Sequence, residues 1–383
     1  MLELADIFRS AGPAYCQAHA DRMLPSHRRA MDDIIRCRTP ALGGSLYACD
    51  DCGALDYSYH SCRNRHCPKC QDDRAQDWLE RVRARLLPCD HYLLTFTLPQ
   101  QLRALARSHQ EQVYAMLLRQ AATSVQTLAD DRSWVGGTLG ILAVLHTWSR
   151  TLEYHPHAHL LVTAGGLSAD GTAWVEPAHP RFFMPGYALS QIFRARMRDA
   201  LARAGLYRQL AATVWQRAWT VPIQPIGRGE HAALYLSRYV YRVALTNQRL
   251  ERFEHGRVTF RYTHARTHET RRMTLPVNVF SARFLQHVLP RGFTKIRASG
   301  LLSPSHRADR ERARDLLQRR APQRTRTSDT SDTSPSGSTR SDRPGSVPAS
   351  TLTLVNSSAP RCPVCLRGRL RLIERLRRSR APP

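Results

Sequence analysis

Five of the ten cysteines in this 383-residue chain lie between Cys49 and Cys70, in the run CDDCGALDYSYHSCRNRHCPKC. Two CxxC knuckles, Cys49/Cys52 and Cys67/Cys70, stand there with 14 residues between them. Zinc takes four ligands in a tetrahedron; each knuckle supplies two, and the amides of its turn bond the thiolates. The spacing predicts one zinc site on these four cysteines, in a zinc-ribbon or treble-clef-like module, with Gly53 permitting a tight turn and Pro68 stiffening the second knuckle. Cys62, His60 and His66 exceed the needs of one site, as alternative ligands, a second site or solvated residues. Arg63, Asn64, Arg65 and Lys69 are expected to face outward, where they contact phosphates or are simply solvated. Cys16, Cys37 and Cys89 stand alone and read as small buried hydrophobes.

The net charge of +26 and a pI of about 10.7 call for a polyanionic partner, and nucleic acid is the default one. The arginines are dispersed, no basic amphipathic helix shows a wide apolar face, and no run of 18 apolar residues exists, which argues against a membrane. The start MLELADIFRSAG lacks the basic and apolar segments of a signal peptide. The expected location is the cytosol, where thiols stay reduced and act as ligands.

The hydrophobic content of 42% is ample for a core. Residues 4 to 37 read as one or two helices from the spacing of Leu4, Ile7, Phe8, Met31, Ile34 and Ile35. HYLLTFTLP from His91 alternates as a strand, and residues 101 to 128 follow as a long helix. GTLGILAVLH (137 to 146) and HPHAHLLVTA (155 to 164) read as paired strands, 189 to 204 and 230 to 246 as helices, and 256 to 263 with 271 to 277 as a second hairpin. The fold class is α+β, a largely antiparallel sheet covered by helices. Residues 319 to 358 are Ser, Thr, Pro and Arg with almost nothing to bury, and read as a disordered linker. The chain closes on RCPVCLRGRLRLIERLRRSR, whose CxxC (Cys362, Cys365) echoes the first cluster.

Side chains alternate along a strand, so HPHAHLLV sets His155, His157 and His159 on one face, with Ala158, Leu160 and Val162 packing on the other. Two histidines flanking one small apolar residue can share a metal. His146, on the preceding strand, is the candidate third ligand; Glu153 and a residue on the 230 to 246 helix compete with it. On that helix Tyr235 and Tyr239 are four apart and share a face with Arg238 and Arg242. Phenols beside guanidinium groups suit attack on a phosphodiester, because the cations favour the phenolate and neutralise charge developing on phosphorus. Tyr241 points elsewhere.

These segments, in this order, resemble the two-tyrosine HUH transposases of the IS91 group of rolling-circle insertion sequences. The resemblance runs to about Leu302 and is carried by CRTPALGG (37 to 44), SCRNRHCPKCQ (61 to 71), FTLP (96 to 99), HTWSRTLEYHPHAHLLVTAGG (146 to 166), YLSRYVYRVALTNQRL (235 to 250), VTFRY (258 to 262) and HVLPRGFTKIRASGLL (287 to 302). Ser45 departs from it, standing where the group usually carries His. The resemblance implies that His157 and His159 bind a divalent ion, Mg or Mn, and that Tyr235 and Tyr239 are nucleophiles. It further implies an N-terminal zinc-binding domain and partners that are single-stranded DNA at transposon ends and target DNA. The expected division is a helical and zinc-binding domain over 1–88, an HUH catalytic domain over 89–302, and a basic, largely disordered tail over 303–383 that ends in the CxxC segment. The same chemistry serves replication initiators and relaxases, and a non-catalytic zinc-dependent DNA-binding protein would keep the charge and the cysteines alone.

Overall fold

The computed structural model describes residues 1–70, 80, 82–179, 182–228, 243–264, 267–320 and 359–378. Residues 230–242 of the expected helix, with Tyr235, Arg238, Tyr239 and Arg242, and residues 321–358 of the stretch read as a linker lie outside the described residues; 243–246 are not helical, and 319–320 end a helix. The chain divides into two compact units: one is 1–37 with 61–319, the other 38–60 with 320–383.

The first unit is mixed α and β. It opens with helices α1 (Leu4–Ala18) and α2 (Pro25–Arg36). Glu3 caps α1, its amide donating to Asp6 Oδ2 at 3.0 Å, and Pro25 starts α2 where no amide is needed. Their apolar stripes set Leu4, Ile7 and Phe8 against Ala30, Met31 and Ile34; of the residues expected from spacing, Ile35 is only partly buried against this core.

The large sheet of this unit is antiparallel. In chain order its strands are β3 (Asp90–Thr97), β4 (Thr138–Trp148), β5 (Tyr154–Leu167), β6 (Trp174–Val175), β7 (Ile223–Arg228) and β11 (Ile296–Gly300). Its order is β11-β4-β5-β3-β7, with β6 pairing β5. Alternation sorts its faces. Ile141, Ala143 and Leu145 of β4, Ala158, Leu160 and Val162 of β5, and Leu94 and Phe96 of β3 pack on one side. They meet Leu117, Leu118, Ala121 and Val125 of a helix over Gln110–Ala129 and Leu189, Phe193 and Met197 of another over Gly186–Arg203. Each of the larger side chains among these, the Ile, Leu, Val, Phe and Met, contributes about 2 kcal/mol. The long helix expected over 101 to 128 is broken at His109, whose φ of −122° and ψ of 48° separate Arg103–Ser108 from Gln110–Ala129.

Edge strands β7 and β11 were not expected from the sequence. The segment IQPIGR carries Pro225 and Gly227, which weaken a strand pattern, yet an edge strand tolerates proline because one side of it needs no ladder donor.

A second sheet in this unit, a meander of β8 (Leu250–Glu254), β9 (Arg257–Thr263) and β10 (Thr270–Pro276), contains the expected second hairpin. His255 and Gly256 join β8 to β9 with φ of 50° and 69°, the left-handed pair a two-residue hairpin turn requires. This sheet and the helix over Val277–Leu285 share a core with α1 and α2: Phe8 meets Phe284 edge-on at 5.5 Å, beside Val258, Phe260 and Phe280. The N-terminal helices are therefore packed with elements from the far end of the unit, not set apart as a domain ending at residue 88.

Residues 303–320 also differ from the expected tail. The helix over Arg307–Arg320 packs Ala313 and Leu317 against Leu87, Cys89, Leu167, Trp174 and Leu301.

The second unit is a three-stranded antiparallel sheet, β12-β1-β2, of β1 (Gly44–Cys49), β2 (Leu55–Tyr59) and β12 (Leu370–Leu376). Its central strand comes from near the start of the chain and one neighbour from the end, with Gly44 opposite Leu376 and Cys49 opposite Leu370.

Candidate metal centres and a candidate nucleic-acid cleft

Three groups of side chains could hold metal ions among the described residues. In the first unit, the thiols of Cys37, Cys62, Cys67 and Cys70 converge. Cys37 follows the last turn of α2, and the other three lie on the loop after Ser61. Sγ atoms of Cys37 and Cys70 are 3.4 Å apart and those of Cys62 and Cys70 3.5 Å, with every cysteine in the reduced form. The amides of Cys62 and Asn64 donate to Cys37 Sγ and Cys62 Sγ. Hydrogen bonds, first from Cys37, pull the Cys70 thiol far down and push that of Cys62 up; four thiols this close are the donor set of a closed cation site.

The expectation of one site on both knuckles is corrected here. Cys67 and Cys70 combine with Cys62 and Cys37, whereas Cys49 and Cys52 lie in the second unit with Cys362 and Cys365. Cys37 is fully buried, as expected, but among thiols rather than as an isolated apolar filler. Cys16 and Cys89 remain outside both groups, the first half-buried and the second buried.

The loop carrying these ligands is less outward-facing than expected. Arg63 is exposed, but Arg65 donates to the Phe293 carbonyl, Asn64 donates to Asp33 Oδ2 at 3.0 Å, and Lys69 is paired with Glu3 at 2.5 Å. His66 is no ligand either: it accepts the Leu289 amide at 3.2 Å, and burial keeps its imidazole neutral. His60, in the second unit, is exposed.

The third group is the histidine cluster. Register sets His146 of β4 opposite His157 of β5, with Val144 opposite His159. His146, His157 and His159 share the face of the sheet that the covering helices leave, and their ligand atoms lie within 4.8 Å of one another. Ring centroids are 4.8 Å apart for His157 and His159, 4.9 Å for His146 and His159, and 5.4 Å for His146 and His157. His146 stacks on Trp148 at 4.8 Å.

Neighbours fix these rings. His157 Nδ1 donates to the His155 carbonyl at 2.6 Å, so Nε2 is the atom a metal would use. His159 Nδ1 is bonded to Thr95 Oγ1, 3.1 Å away on β3. Burial pushes His157 down to about 4, against the pull of its own bond to the His155 carbonyl, and holds it in the neutral form that ligates. His155 is held instead by Arg103, 2.6 Å from its Nδ1. Glu153 is exposed and outside the group.

The histidines open into a cavity of about 460 Å³, shared with Trp148, Arg150, Arg249, Tyr262 and His264. A second cavity of about 370 Å³ has Arg150, Arg249, Tyr262 and Thr263 in common with it and adds Arg261 and His268. Among the described residues, no carboxylate lines either one. Arg249 is pinned by donating to the carbonyls of Arg261, Ala244 and Arg150, and Arg150 by donating to those of Thr263 and His264. Backbone carbonyls thus fix the positions of both guanidinium groups. Sequence reading missed Arg150, Arg249 and Tyr262, because nothing local connects the turn after β4 to strands β8 and β9.

Residues 140–310 match the family model described as "Putative transposase", and residues 7–98 match that of a transposase zinc-binding domain. The chain is 39% identical over 336 residues to "Putative transposase y4qJ" of Sinorhizobium fredii, covering 82% of this chain and 84% of that one. It is 29% identical over 286 residues to "Transposase for insertion sequence element IS801" of Pseudomonas savastanoi pv. phaseolicola, covering 70% and 68%. No solved structure matches the chain. Zinc is the metal that the N-terminal thiols and the zinc-binding domain match together support.

Proposed function

The chain belongs to the IS91 family of transposases with an N-terminal zinc-binding domain, and from that premise we propose that it cuts and rejoins single-stranded DNA by tyrosine attack. The observation that carries the proposal is the convergence of His146, His157 and His159 on a face that opens into an arginine-lined cavity.

His157 and His159, with His146 as third donor, would hold a divalent ion. Three imidazoles leave coordination positions open, unlike four thiolates, and so fit a reacting phosphate. A bound Mg or Mn ion supplies Lewis-acid polarisation of the scissile phosphate. Thr95 and the His155 carbonyl keep the imidazoles oriented. Arg150 and Arg249 seat the DNA backbone, and Tyr262 and Trp148 offer faces on which unpaired bases stack.

In this reading Tyr235 and Tyr239 are the nucleophiles and Arg238 and Arg242 favour their phenolate form. One phenolic oxygen attacks phosphorus, the P–O3′ bond breaks, and the departing oxygen takes a proton to become a 3′ hydroxyl. The 5′ phosphate stays on tyrosine, so the bond energy is kept and rejoining needs no ATP. The second tyrosine cleaves another strand while the first adduct persists, and the 3′ hydroxyl attacks either adduct, giving strand transfer of the rolling-circle type. The substrates are transposon ends and target DNA, and the work is done in the cytosol. No helix among the described residues is long and apolar enough to cross a membrane.

The test is a labelled single-stranded oligonucleotide carrying an element end, incubated with and without Mn. A covalent protein-DNA adduct is expected from the natural chain with Mn and none from the Tyr235→Phe, Tyr239→Phe double variant. An undiminished adduct from that variant would overturn the reading. Metal-independent binding with no adduct from the natural chain would leave a DNA-binding protein without catalysis.

A further inference from the structure

Among its described residues the second unit has almost no apolar core. The buried cluster there is Cys49, Cys362 and Leu370, with Tyr47, Ala54 and Cys365 partly buried against it. Forty or so residues with so little to bury need another source of cohesion, such as a metal or a disulfide. All four of its cysteines are unpaired thiols, and all four converge.

We propose that Cys49, Cys52, Cys362 and Cys365 form a second tetrathiolate zinc site, which ties the C-terminal segment of the chain to its N-terminal knuckle. Zinc–sulfur bonds of about 2.3 Å in a tetrahedron set sulfur atoms about 3.8 Å apart. Cys49 Sγ and Cys365 Sγ are 3.6 Å apart, and Cys52 Sγ and Cys362 Sγ 3.8 Å. Each of these contacts joins one knuckle to the other, as two CxxC turns facing across one ion must.

The two knuckles repeat each other in detail. The Gly53 amide donates to the Cys49 carbonyl and the Leu366 amide to the Cys362 carbonyl, both at 3.1 Å. The residue after each second cysteine is left-handed, Gly53 with φ of 71° and Leu366 with φ of 60°. Leucine rarely adopts that conformation, so the turn around Cys365 is held by its surroundings. Asp51 donates its amide to Cys49 Sγ and Val364 to Cys362 Sγ, each at 3.4 Å. The Cys52 and Gly368 amides donate to Cys49 Sγ and Cys365 Sγ. Amide donors aimed at sulfur favour thiolate. Gly368 also lets the knuckles close, since a Cβ there would collide with Cys49 Sγ and stand 2.6 Å from Asp51 Cβ.

Charge is balanced as well. Binding one Zn²⁺ releases four thiol protons and leaves a net charge of −2 on the group. Arg361, Arg367, Arg369 and Arg371 stand on the same short segment, with Arg367 paired to Asp51 at 3.4 Å and Arg371 to Asp50 at 3.5 Å. The strand β12 is then an addition to β1 that the metal clamps at one end, beside Cys49 opposite Leu370.

The experiment counts tightly bound zinc by native mass spectrometry on the full chain carrying His157→Ala and His159→Ala, so that the histidine group adds nothing. Two ions per chain are expected. Adding Cys362→Ser with Cys365→Ser should leave one. Cys62→Ser with Cys67→Ser should also leave one, while the arginines of 361–378 stay resistant to trypsin. Cys365→His, which puts an imidazole in place of a thiolate, should keep two. One ion in the starting chain, two after removal of the terminal cysteines, or loss of both when only the terminal pair is removed would each overturn the proposal.

Discussion

The thiol group of Cys37, Cys62, Cys67 and Cys70 and the histidine group of His146, His157 and His159 lie in the same unit and answer to opposite designs. Four thiols on a helix end and one loop enclose their centre, supported by amides and by the core of α1, α2 and Phe284. Three imidazoles on two neighbouring strands stand at the edge of a cavity of about 460 Å³ lined by arginine. A closed four-ligand shell contributes folding energy, whereas an open shell on rigid strands can admit a substrate. The difference teaches that donor number and the space in front of the donors separate a group suited to a structural metal from one suited to a reactive metal, even where both are coded by ligands at short spacing.

The largest effect that would sharpen this contrast is in the histidines. His157→Ala or His159→Ala is expected to cut strand cleavage by about 10³-fold or more, with zinc content and melting temperature nearly unchanged. A gel assay of the adduct beside a thermal melt reads both, and a large fall in melting temperature would erase the distinction. Next comes Cys37→Ser, expected to destabilise the first unit by about 3 kcal/mol through loss of a closed site, against less than about 0.5 kcal/mol for Cys16→Ser. Urea titration of the two variants compares them.

A third expectation concerns acid. Burial pushes His27 and His91 down to about 4 and His287 to about 3, so the folded chain keeps them neutral. The unfolded chain protonates them near the ordinary value of about 6.5. Stability is therefore whole above pH 6.5 and falls as pH drops towards 4. His27→Gln should reduce the stability lost between pH 7 and 4.5 by about 2 kcal/mol, as seen in urea titrations at the two pH values. The smallest effect is in support of the histidine ligands: Thr95→Val removes the bond to His159 Nδ1 and should weaken Mn affinity about tenfold, measurable by calorimetry. An unchanged affinity would mean that the strand backbone alone orients that ring.

Much of the histidine site was legible because strand alternation is a local rule. HPHAHLLV sorts His157 and His159 from Ala158, Leu160 and Val162 whatever the strand packs against, and the helices do cover the apolar set. His146 required one further step, the pairing of two strands adjacent in sequence, and that register was also within reach. The cleft was not, since Arg150, Arg249 and Tyr262 meet through the packing of separate sheets in one unit. Edge strand β7 was hidden by Pro225, whose cost depends on a place in the sheet that no local pattern reveals.

The sequence by itself determined that the cysteines come in knuckles able to share a metal, and that one strand presents histidines on a single face. Only the tertiary structure decided which knuckle meets which. A CxxC turn offers two thiolates in the same geometry wherever it occurs, so spacing cannot distinguish a partner 14 residues away from one more than 300 residues away. The choice is made by helix α2 bringing Cys37 to the loop of Cys62, Cys67 and Cys70, and by strand β12 pairing with β1 to bring Cys362 and Cys365 to Cys49 and Cys52.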